Sequence, residues 1–253
     1  NFGTPQIITT AANGAISVYA TDLDGDGYTD VLSASWDDDK IAWYANDGSG
    51  NFGLQQIITT AADGARSVYA ADLDNDGDID VLSASYDDDK IAWYENDGAG
   101  NFSTQQIITT MVDGSYTVYV SDLDGDGDLD VLSASFNDDK LSWYLNDGSG
   151  NFGTPQIITS AANGAISVYA ADLDGDGDMD ILSASQLDNK IAWYKNNGAG
   201  SFGAQQTITT TAESSRSVYA ADLDGDGDFD VLSASAYDDK IAWYENDGSG
   251  GFS

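Results

Sequence analysis

The most distinctive chemistry in the sequence is a cluster of four aspartates that recurs five times, once in every fifty residues. The first copy, over residues 22–30, reads DLDGDGYTD and follows the pattern D-x-D-x-D-G-x-x-D. Four carboxylates so close together repel one another unless a cation neutralises them. The sequence therefore predicts a cation-binding loop in every copy.

Calcium is the cation that this loop suits best. Alternate spacing points three side chains into the loop, and Gly27 permits the turn that returns Asp30 to the same centre. A hard cation with about six to eight oxygen ligands fits such a cage. Tyr28 can stand where the other copies have aspartate if that position offers its backbone carbonyl. We expect about one Ca²⁺ per repeat, five in total, with these ligands: Asp22, Asp24, Asp26, Asp30, Asp72, Asp74, Asp76, Asp80, Asp122, Asp124, Asp126, Asp130, Asp172, Asp174, Asp176, Asp180, Asp222, Asp224, Asp226 and Asp230.

Two other interpretations of the loop are weaker. Magnesium is disfavoured because it requires near-octahedral geometry and keeps its waters. An acidic turn without metal is the alternative for a single copy, but five copies that each keep all four aspartates argue against it. The loop also differs from an EF-hand, which has Glu at the position of Ser33. Since the loop supplies every ligand apart from water, the predicted role of the metal is structural.

Composition and charge exclude several classes of function. The 253 residues include 44 acidic and 8 basic side chains, a formal charge of −36, and neither cysteine nor histidine. Thiol nucleophiles, Ser-His-Asp triads, typical zinc sites and disulfides are therefore excluded. The charge argues against nucleic acid and anionic membranes as partners. No apolar run approaches the roughly 18 residues that span a bilayer, so membrane insertion is not predicted.

The elements that position the aspartates also repeat. Five units align without a gap, at residues 1–50, 51–100, 101–150, 151–200 and 201–253, and they predict one domain over 1–253. The first four strand patterns after the N-terminal segment, each bounded by Asp, Asn and Gly clusters, cover Ile16–Ala20, Asp30–Ser35, Lys40–Tyr44 and Gln56–Thr60. The fourth lies just past the end of the first repeat. Each aspartate loop would thus connect the first two strands of a unit.

Four short strands per unit are typical of a β-propeller blade. The predicted fold is all-β, a five-bladed β-propeller with four-stranded antiparallel blades. Successive apolar residues predict strands buried on both faces. Packing between blades is accordingly expected, rather than ligand binding, for Trp43, Trp93, Trp143, Trp193 and Trp243. Repeat five supplies three strands, so Gln6–Thr10 is predicted to complete the last blade and close the ring. A segment of a larger ring is the alternative.

The loop and its flanks resemble a known family. The residues before the loop (18–20, VYA) and after it (31–35, VLSAS), together with the stretch Asn46–Gly53, are similar to FG-GAP/VCBS repeats in all five units. The resemblance implies calcium-binding β-propeller blades, as in integrin α-subunit heads and some fungal and bacterial lectins, with the loop aspartates as ligands. Members of this family mostly form seven blades, and five units depart from that number.

Three classes of function remain open. We expect a secreted or cell-surface adhesion module, its targeting signal already removed, that binds a glycan or an extracellular protein as a monomer. Several sites on one body would add avidity. The alternative is an assembly element of an extracellular filament or matrix. An enzyme is not expected, because a catalytic carboxylate pair needs two different environments and near-identical copies provide equivalent ones.

Variation between the copies separates two kinds of candidate ligand site. The turn after the second strand varies most, and Trp36, Tyr86 and Phe136 could be stacking platforms of one or two unequal sites. The competing explanation is that the sequence of these exposed turns has drifted without a function. A fivefold site would instead need constant residues, such as Ser33, Ser35, Lys40, Trp43 and Asn46.

Overall fold

The computed structural model describes residues 3–253, and this part of the chain folds entirely into strands, turns and loops. No helix within it is long and apolar enough to cross a membrane. The strands form five separate antiparallel sheets, which we number in chain order. The all-β prediction and the antiparallel pairing are thereby confirmed, and the predicted four strands are present in sheets 1 to 4, whereas sheet 5 has three in the described part of the chain.

Each sheet is a meander in which consecutive strands pair. The bounds of the strands recur at the same positions in every unit. Sheet 1 contains β1 (Ala15–Thr21), β2 (Asp30–Ser35), β3 (Lys40–Tyr44) and β4 (Gln56–Thr59). Sheet 2 contains β5 (Ala65–Ala71), β6 (Asp80–Ser85), β7 (Lys90–Tyr94) and β8 (Gln106–Thr109). Sheet 3 contains β9 (Ser115–Ser121), β10 (Asp130–Ser135), β11 (Lys140–Tyr144) and β12 (Gln156–Thr159). Sheet 4 contains β13 (Ala165–Ala171), β14 (Asp180–Ser185), β15 (Lys190–Tyr194) and β16 (Gln206–Thr209). Sheet 5 contains β17 (Ser215–Ala221), β18 (Asp230–Ser235) and β19 (Lys240–Tyr244).

The second strand of each sheet is the most deeply buried, because it has a strand on either side and apolar residues on both faces. In sheet 1, Leu32 lies opposite Trp43 in the register of β2 with β3. The next residue of β2, Ser33, lies opposite Ala42 and is also buried, and its hydroxyl donates to the Ala42 carbonyl at 3.3 Å. A serine can therefore occupy the core without an unsatisfied hydroxyl.

The chain divides into two compact units, one up to Thr110 and the other Met111–Ser253. The first holds sheets 1 and 2, and its core forms where they meet, with Ile41 and Trp43 of sheet 1 against Ala65 and Val68 of sheet 2. The second holds sheets 3 to 5, with equivalent cores between sheets 3 and 4 and between sheets 4 and 5. Organisation as one domain over 1–253 stays a prediction.

The expected strand over Gln6–Thr10 is absent, which corrects one element of the sequence prediction. The segment has no strand, and sheet 5 has three strands in the described part of the chain. A short β pattern becomes a strand only when a neighbouring backbone accepts and donates its hydrogen bonds. Ile7 is 78% exposed instead. Closure of the ring by this segment therefore stays a prediction.

Candidate metal centre and binding surfaces

The aspartate loops connect the first and second strands of each sheet, as predicted. Pairing of Thr21 with Asp30 at the ends of β1 and β2 brings the two ends of the first loop together. Gly27 has a φ of 88°, in the left-handed region that glycine adopts readily, and it reverses the chain inside the loop. The backbone is thus shaped to return the last aspartate of the loop to the first.

Three of the four predicted ligands in each loop come together. One carboxylate oxygen from each of Asp22, Asp24 and Asp30 lies within 4.8 Å of the others. The same grouping recurs in the other four loops, at Asp72, Asp74 and Asp80; Asp122, Asp124 and Asp130; Asp172, Asp174 and Asp180; and Asp222, Asp224 and Asp230. The remaining predicted ligand of each loop lies outside its group, namely Asp26, Asp76, Asp126, Asp176 and Asp226.

The last aspartate of each loop is fully buried. In sheet 2, the Asp80 carboxylate accepts hydrogen bonds from the backbone N–H groups of Leu73 and Asn96, both at 2.9 Å. Burial nevertheless dominates, and it raises the pKa of Asp80 to about 7, as it does that of Asp130. An ionised carboxylate at this depth is costly, and a bound cation would remove that cost.

The residues present fit a hard cation. The donors are carboxylate oxygens, which are the ligands that Ca²⁺ prefers. Among the described residues, the Oδ1 atoms of Asp72 and Asp174 are buried without a hydrogen-bond partner, which suits an oxygen that would face a metal. The Asp22 carboxylate accepts the N–H groups of Gly25 and Gly27 at 2.9 and 2.8 Å, so the loop is held in shape by its own ligands.

Position 195 distinguishes the fourth loop from the rest. The Lys195 ammonium contacts the Asp174 carboxylate and lies 3.0 Å from that of Asp176. The equivalent residues are Ala45, Glu95, Leu145 and Glu245. The sequence shows this variation, but its link to the loop was missed, because the loop and the lysine are separated in the chain and meet only after the strands pair.

Constant Asn residues tie consecutive sheets together at the loops. The buried Asn96 amide donates to the carbonyls of Leu23 in sheet 1 and Ile79 in its own sheet, both at 2.8 Å. Asn196 does the same towards Leu123 and Met179, at 2.7 and 3.0 Å. This position is therefore constant for a reason internal to the fold.

Other constant residues also have internal partners. The Lys40 ammonium lies 2.8 Å from the Asp38 carboxylate and donates to the Ala11 carbonyl at 3.1 Å. The Ser35 hydroxyl donates to Asp38 as well. These contacts account for the constancy of Ser35 and Lys40, which sequence reasoning had left open for a fivefold ligand site.

The tryptophans pack between sheets where a following sheet is present. Trp43 is 3% exposed and meets Phe102 edge-on, with ring centroids 6.4 Å apart. A Cβ atom at Gly100 would lie only 2.5 Å from the Trp43 ring, so this glycine makes room for the indole. Trp143 with Phe202 and Trp193 with Phe252 repeat the arrangement. Trp243 differs, because 48% of it is exposed.

The variable turns lie at the opposite end of the second strand from the aspartate loops. In the first unit, Trp36 and Tyr86 are neighbours, with ring centroids 5.5 Å apart. The Arg66 guanidinium lies 5.1 Å from the centre of the Trp36 ring. Phe136 belongs to the second unit, where it lies 6.1 Å from Tyr116. Trp36 and Tyr86 therefore form an aromatic cluster within the first unit, which we call the Trp36 cluster (Trp36, Arg66 and Tyr86).

A groove in the second unit runs beside the loops of sheets 3 and 4. It encloses about 320 Å³ and is lined by residues that include Gly125, Leu129, Met179 and Asn196. This volume is at the lower end of the range for small-molecule sites. The groove is a second candidate surface for a small ligand.

The sheets and loops together define a repeat protein with a β-propeller-like fold and one candidate cation centre per fifty-residue repeat. A family model for FG-GAP-like repeats matches residues 22–83, 72–133, 122–183 and 175–233. The chain therefore belongs to the FG-GAP-like repeat family. No curated protein sequence matches it.

Solved structures share the fold at low sequence identity. A lectin from Agrocybe aegerita, described as recognising non-reducing terminal N-acetylglucosamine, is 20% identical with a TM-score of 0.68, over 95% of this chain and 65% of the lectin chain. The V. cholerae biofilm matrix protein Bap1 is 21% identical with a TM-score of 0.57, over 96% of this chain and 40% of its own. The chain thus spans less than two thirds of either protein.

Proposed function

We propose that this protein is a non-enzymatic extracellular binding module, stabilised by one Ca²⁺ in each of its five loops, with a glycan as its ligand. The observation that carries the ligand class is the Trp36 cluster. Its aromatic rings are half-buried, and the turns that bear them also present the exposed carboxylates of Asp37 and Asp87. An aromatic face beside carboxylates suits a sugar, which offers C–H groups for stacking and hydroxyls for hydrogen bonds.

The Trp36 cluster combines two aromatic rings with one cation. The Arg66 guanidinium of sheet 2 lies near the centre of the Trp36 ring, and Tyr86, which is also in sheet 2, flanks that ring. Trp36 and Tyr86 occupy equivalent positions of consecutive repeats, so the repeat brings these two turns together, and aromatic residues at both give a continuous stacking face. The cluster also occurs at one place in the first unit, which agrees with a single site of its own specificity rather than five equal ones.

The role of calcium in this proposal is to stabilise the loops. When bound, the divalent cation would offset two of the three negative charges that the ionised carboxylates bring together in each loop. At a free concentration ten times the dissociation constant, one site adds about 1.4 kcal/mol to the free energy of unfolding. Affinities in the millimolar range are common in extracellular modules, so such a protein would fold fully only where calcium is abundant.

Three further observations support an extracellular binding role. The charge of −36 would be reduced by bound calcium. The fold is shared with a lectin and a biofilm matrix protein. Finally, the three carboxylates that converge in each loop are those assigned to the cation, so they are not free to act as an acid–base pair.

A glycan-array screen in millimolar calcium, repeated with excess chelator, tests the function. Terminal N-acetylglucosamine is the first sugar to examine, because the Agrocybe lectin recognises it. Trp36→Ala should lower the affinity for the bound sugar at least tenfold, whereas Trp36→Phe, which keeps an aromatic face, should lower it less. Met179→Trp would fill the groove beside sheets 3 and 4 and should have no effect. Loss of binding in Met179→Trp with retention in Trp36→Ala would move the site to the groove, and a clean negative on the array would remove the glycan proposal.

A further inference from the structure

Within each unit, consecutive sheets pack through two different faces. We call the face that meets the following sheet the trailing face, and in sheet 1 it includes Leu23, Ile41 and Trp43. The face that meets the preceding sheet is the leading face, and in sheet 2 it includes Ala65 and Val68. The same two faces meet between sheets 3 and 4 and between sheets 4 and 5.

The trailing face of sheet 5 is exposed. Ile241 is 78% exposed and Leu223 is 45% exposed, whereas their equivalents in sheet 4, Ile191 and Leu173, are fully buried against sheet 5. Trp243 is exposed to a similar degree as Leu223. The residues are the same in both sheets, so only the covering sheet distinguishes them.

The leading face of sheet 1 is exposed at the same time. Val18 is 72% exposed and Ile16 is 46% exposed, whereas Val168 and Ile166 of sheet 4 are buried. These two exposed faces, which we call the end faces, keep the apolar side chains that pack sheet against sheet elsewhere in the described chain.

The two end faces also keep the polar and steric details of that interface. In repeat 1, Gly50 corresponds to Gly100, which accommodates the Trp43 ring, and no heavy atom of the described chain lies within 4 Å of a Cβ built at Gly50. Asn46 corresponds to Asn96, which donates to the carbonyl of Leu23, and Leu223 offers the equivalent carbonyl at the other end.

A second polar contact repeats the match. The Asp39 carboxylate accepts the N–H of Gly64 in the next sheet at 2.9 Å, and Asp139 accepts that of Gly164 at 2.8 Å. Asp239 has the same left-handed backbone as Asp39, with φ of 55° and 56°. Gly14 at the start of sheet 1 is the residue that would donate to it.

We propose that the leading face of sheet 1 docks on the trailing face of sheet 5 of a second copy of this chain, in the manner of consecutive sheets within one chain. Such a contact joins two different surfaces, so it is heterologous and produces a closed ring of chains or an open filament. We choose a second copy as the occupant because the two exposed faces match each other. The trailing face of sheet 5 has the same residues as the trailing face of sheet 4, and that face already packs on a leading face within the chain. This inference is independent of the glycan proposal and of the Trp36 cluster.

Charge sets the conditions for the assembly. Chains that each carry −36 repel one another, and the aspartate loops next to the interface hold much of that charge. Calcium at the loops would reduce the repulsion, and salt would screen it. We therefore expect the association to be stronger in millimolar calcium than in chelator.

Sedimentation of the full chain, from micromolar to near-millimolar protein in millimolar calcium, tests the proposal. The mean mass of the wild-type protein should rise with concentration. Val18→Glu blocks the leading face and Ile241→Glu blocks the trailing face, so each variant alone should remain monomeric. An equimolar mixture of the two should form a dimer and nothing larger, because one open face of each kind remains. Leu54→Glu, at a residue 91% exposed and outside both faces, adds the same charge and should assemble like the wild type.

Two results would overturn the proposal. The first is a wild-type chain that stays monomeric at every concentration in calcium, which would fit closure on its own other end. The second is a mixture of the two variants that fails to form a dimer. Circular dichroism melts establish that the variants fold, and Ala20→Glu, on the same exposed face, replaces Val18→Glu if the latter unfolds.

Discussion

Lys195 and Asp176 form an ion pair at the fourth aspartate loop, with the ammonium nitrogen 3.0 Å from a carboxylate oxygen. The hydrogen bond from Lys195 lowers the pKa of Asp176, and contact with Asp174 raises the pKa of Lys195. The same position is uncharged in repeats 1 and 3 and carries Glu95 or Glu245 in repeats 2 and 5. Five loops with the same aspartates therefore have different local charges.

We expect the fourth loop to be the weakest calcium site, because the lysine must leave its carboxylates before a cation can replace it. Lys195→Ala should raise the affinity of that site several-fold, as measured by calcium titration against a competing chelator. Ala45→Lys is the matched control, since it places a lysine at the first loop and should weaken one further site. Equal affinities in wild type and Lys195→Ala would mean that the ion pair does not compete with calcium.

Loss of one carboxylate should remove one ion. Asp124→Asn withdraws a charged oxygen from the group formed with Asp122 and Asp130. Bound calcium should fall from five ions per chain to four, and the free energy of unfolding should fall by about 1.4 kcal/mol at tenfold excess over the dissociation constant. Asp128→Asn is the control, because that position is expected to offer its backbone carbonyl. If Asp128→Asn also loses an ion, the assignment of ligands within the loop is wrong.

The calcium-free protein should lose stability as the pH rises. Burial raises the folded-state pKa values of Asp80 and Asp130 to about 7, from an ordinary value of 3.8. Between these values the folded chain binds more protons than the unfolded chain, so the free energy of unfolding decreases with increasing pH. Urea denaturation in chelator, from pH 4 to pH 7, should show this decrease.

Saturating calcium should remove that dependence, because the cation binds the ionised carboxylates. The same urea series in millimolar calcium is therefore expected to be flat or to rise towards neutral pH. A calcium-free protein whose stability instead increased from pH 4 to pH 7 would show that the buried carboxylates are stabilised by the fold alone.

The Asn residues that bridge consecutive sheets should matter for stability. Asn196→Ala leaves the carbonyls of the buried Leu123 and of Met179 without this donor, at a cost of about 2 kcal/mol in the free energy of unfolding. Asn46→Ala is a matched comparison, because the described residues give the Asn46 amide the carbonyl of Thr29 in its own sheet and no bond to another sheet. Its cost should be smaller in dilute protein, as measured by chemical denaturation. Equal costs would show that the bond between sheets adds little.

The strands were predictable where the sequence also determines their partners. Strands β2 and β3 begin and end at the predicted residues, because clusters of Asp, Asn and Gly bound them and each has a neighbour close in the chain. The segment Gln6–Thr9 has the same four residues as β4, Gln56–Thr59, yet only β4 is a strand. The two segments differ because β3 lies beside β4 and pairs with it. The local sequence of four residues does not contain that information.

The candidate metal centre was predictable in composition but not in its inequalities. Spacing and charge identify the aspartates, and the structure brings three of each four together. The contact of Lys195 with its loop depends on the pairing of strands, and the exposure of Trp243 depends on what covers sheet 5. Both features depend on which residues are neighbours in space. The local sequence cannot show them, because the residues around the exposed Trp243 and the buried Trp43 are identical (KIAWY).

The meeting of Trp43 with Gly100 has a consequence for how such a chain can change in length. Every fifty-residue segment carries both the indole and the glycine that receives it, so each segment is compatible with any other as its neighbour. Duplication or deletion of one segment in the gene would leave every remaining joint intact and would create no new one to be optimised. The number of segments can therefore vary by recombination. The same pair of residues is required at every joint, so the same selection applies to each of them.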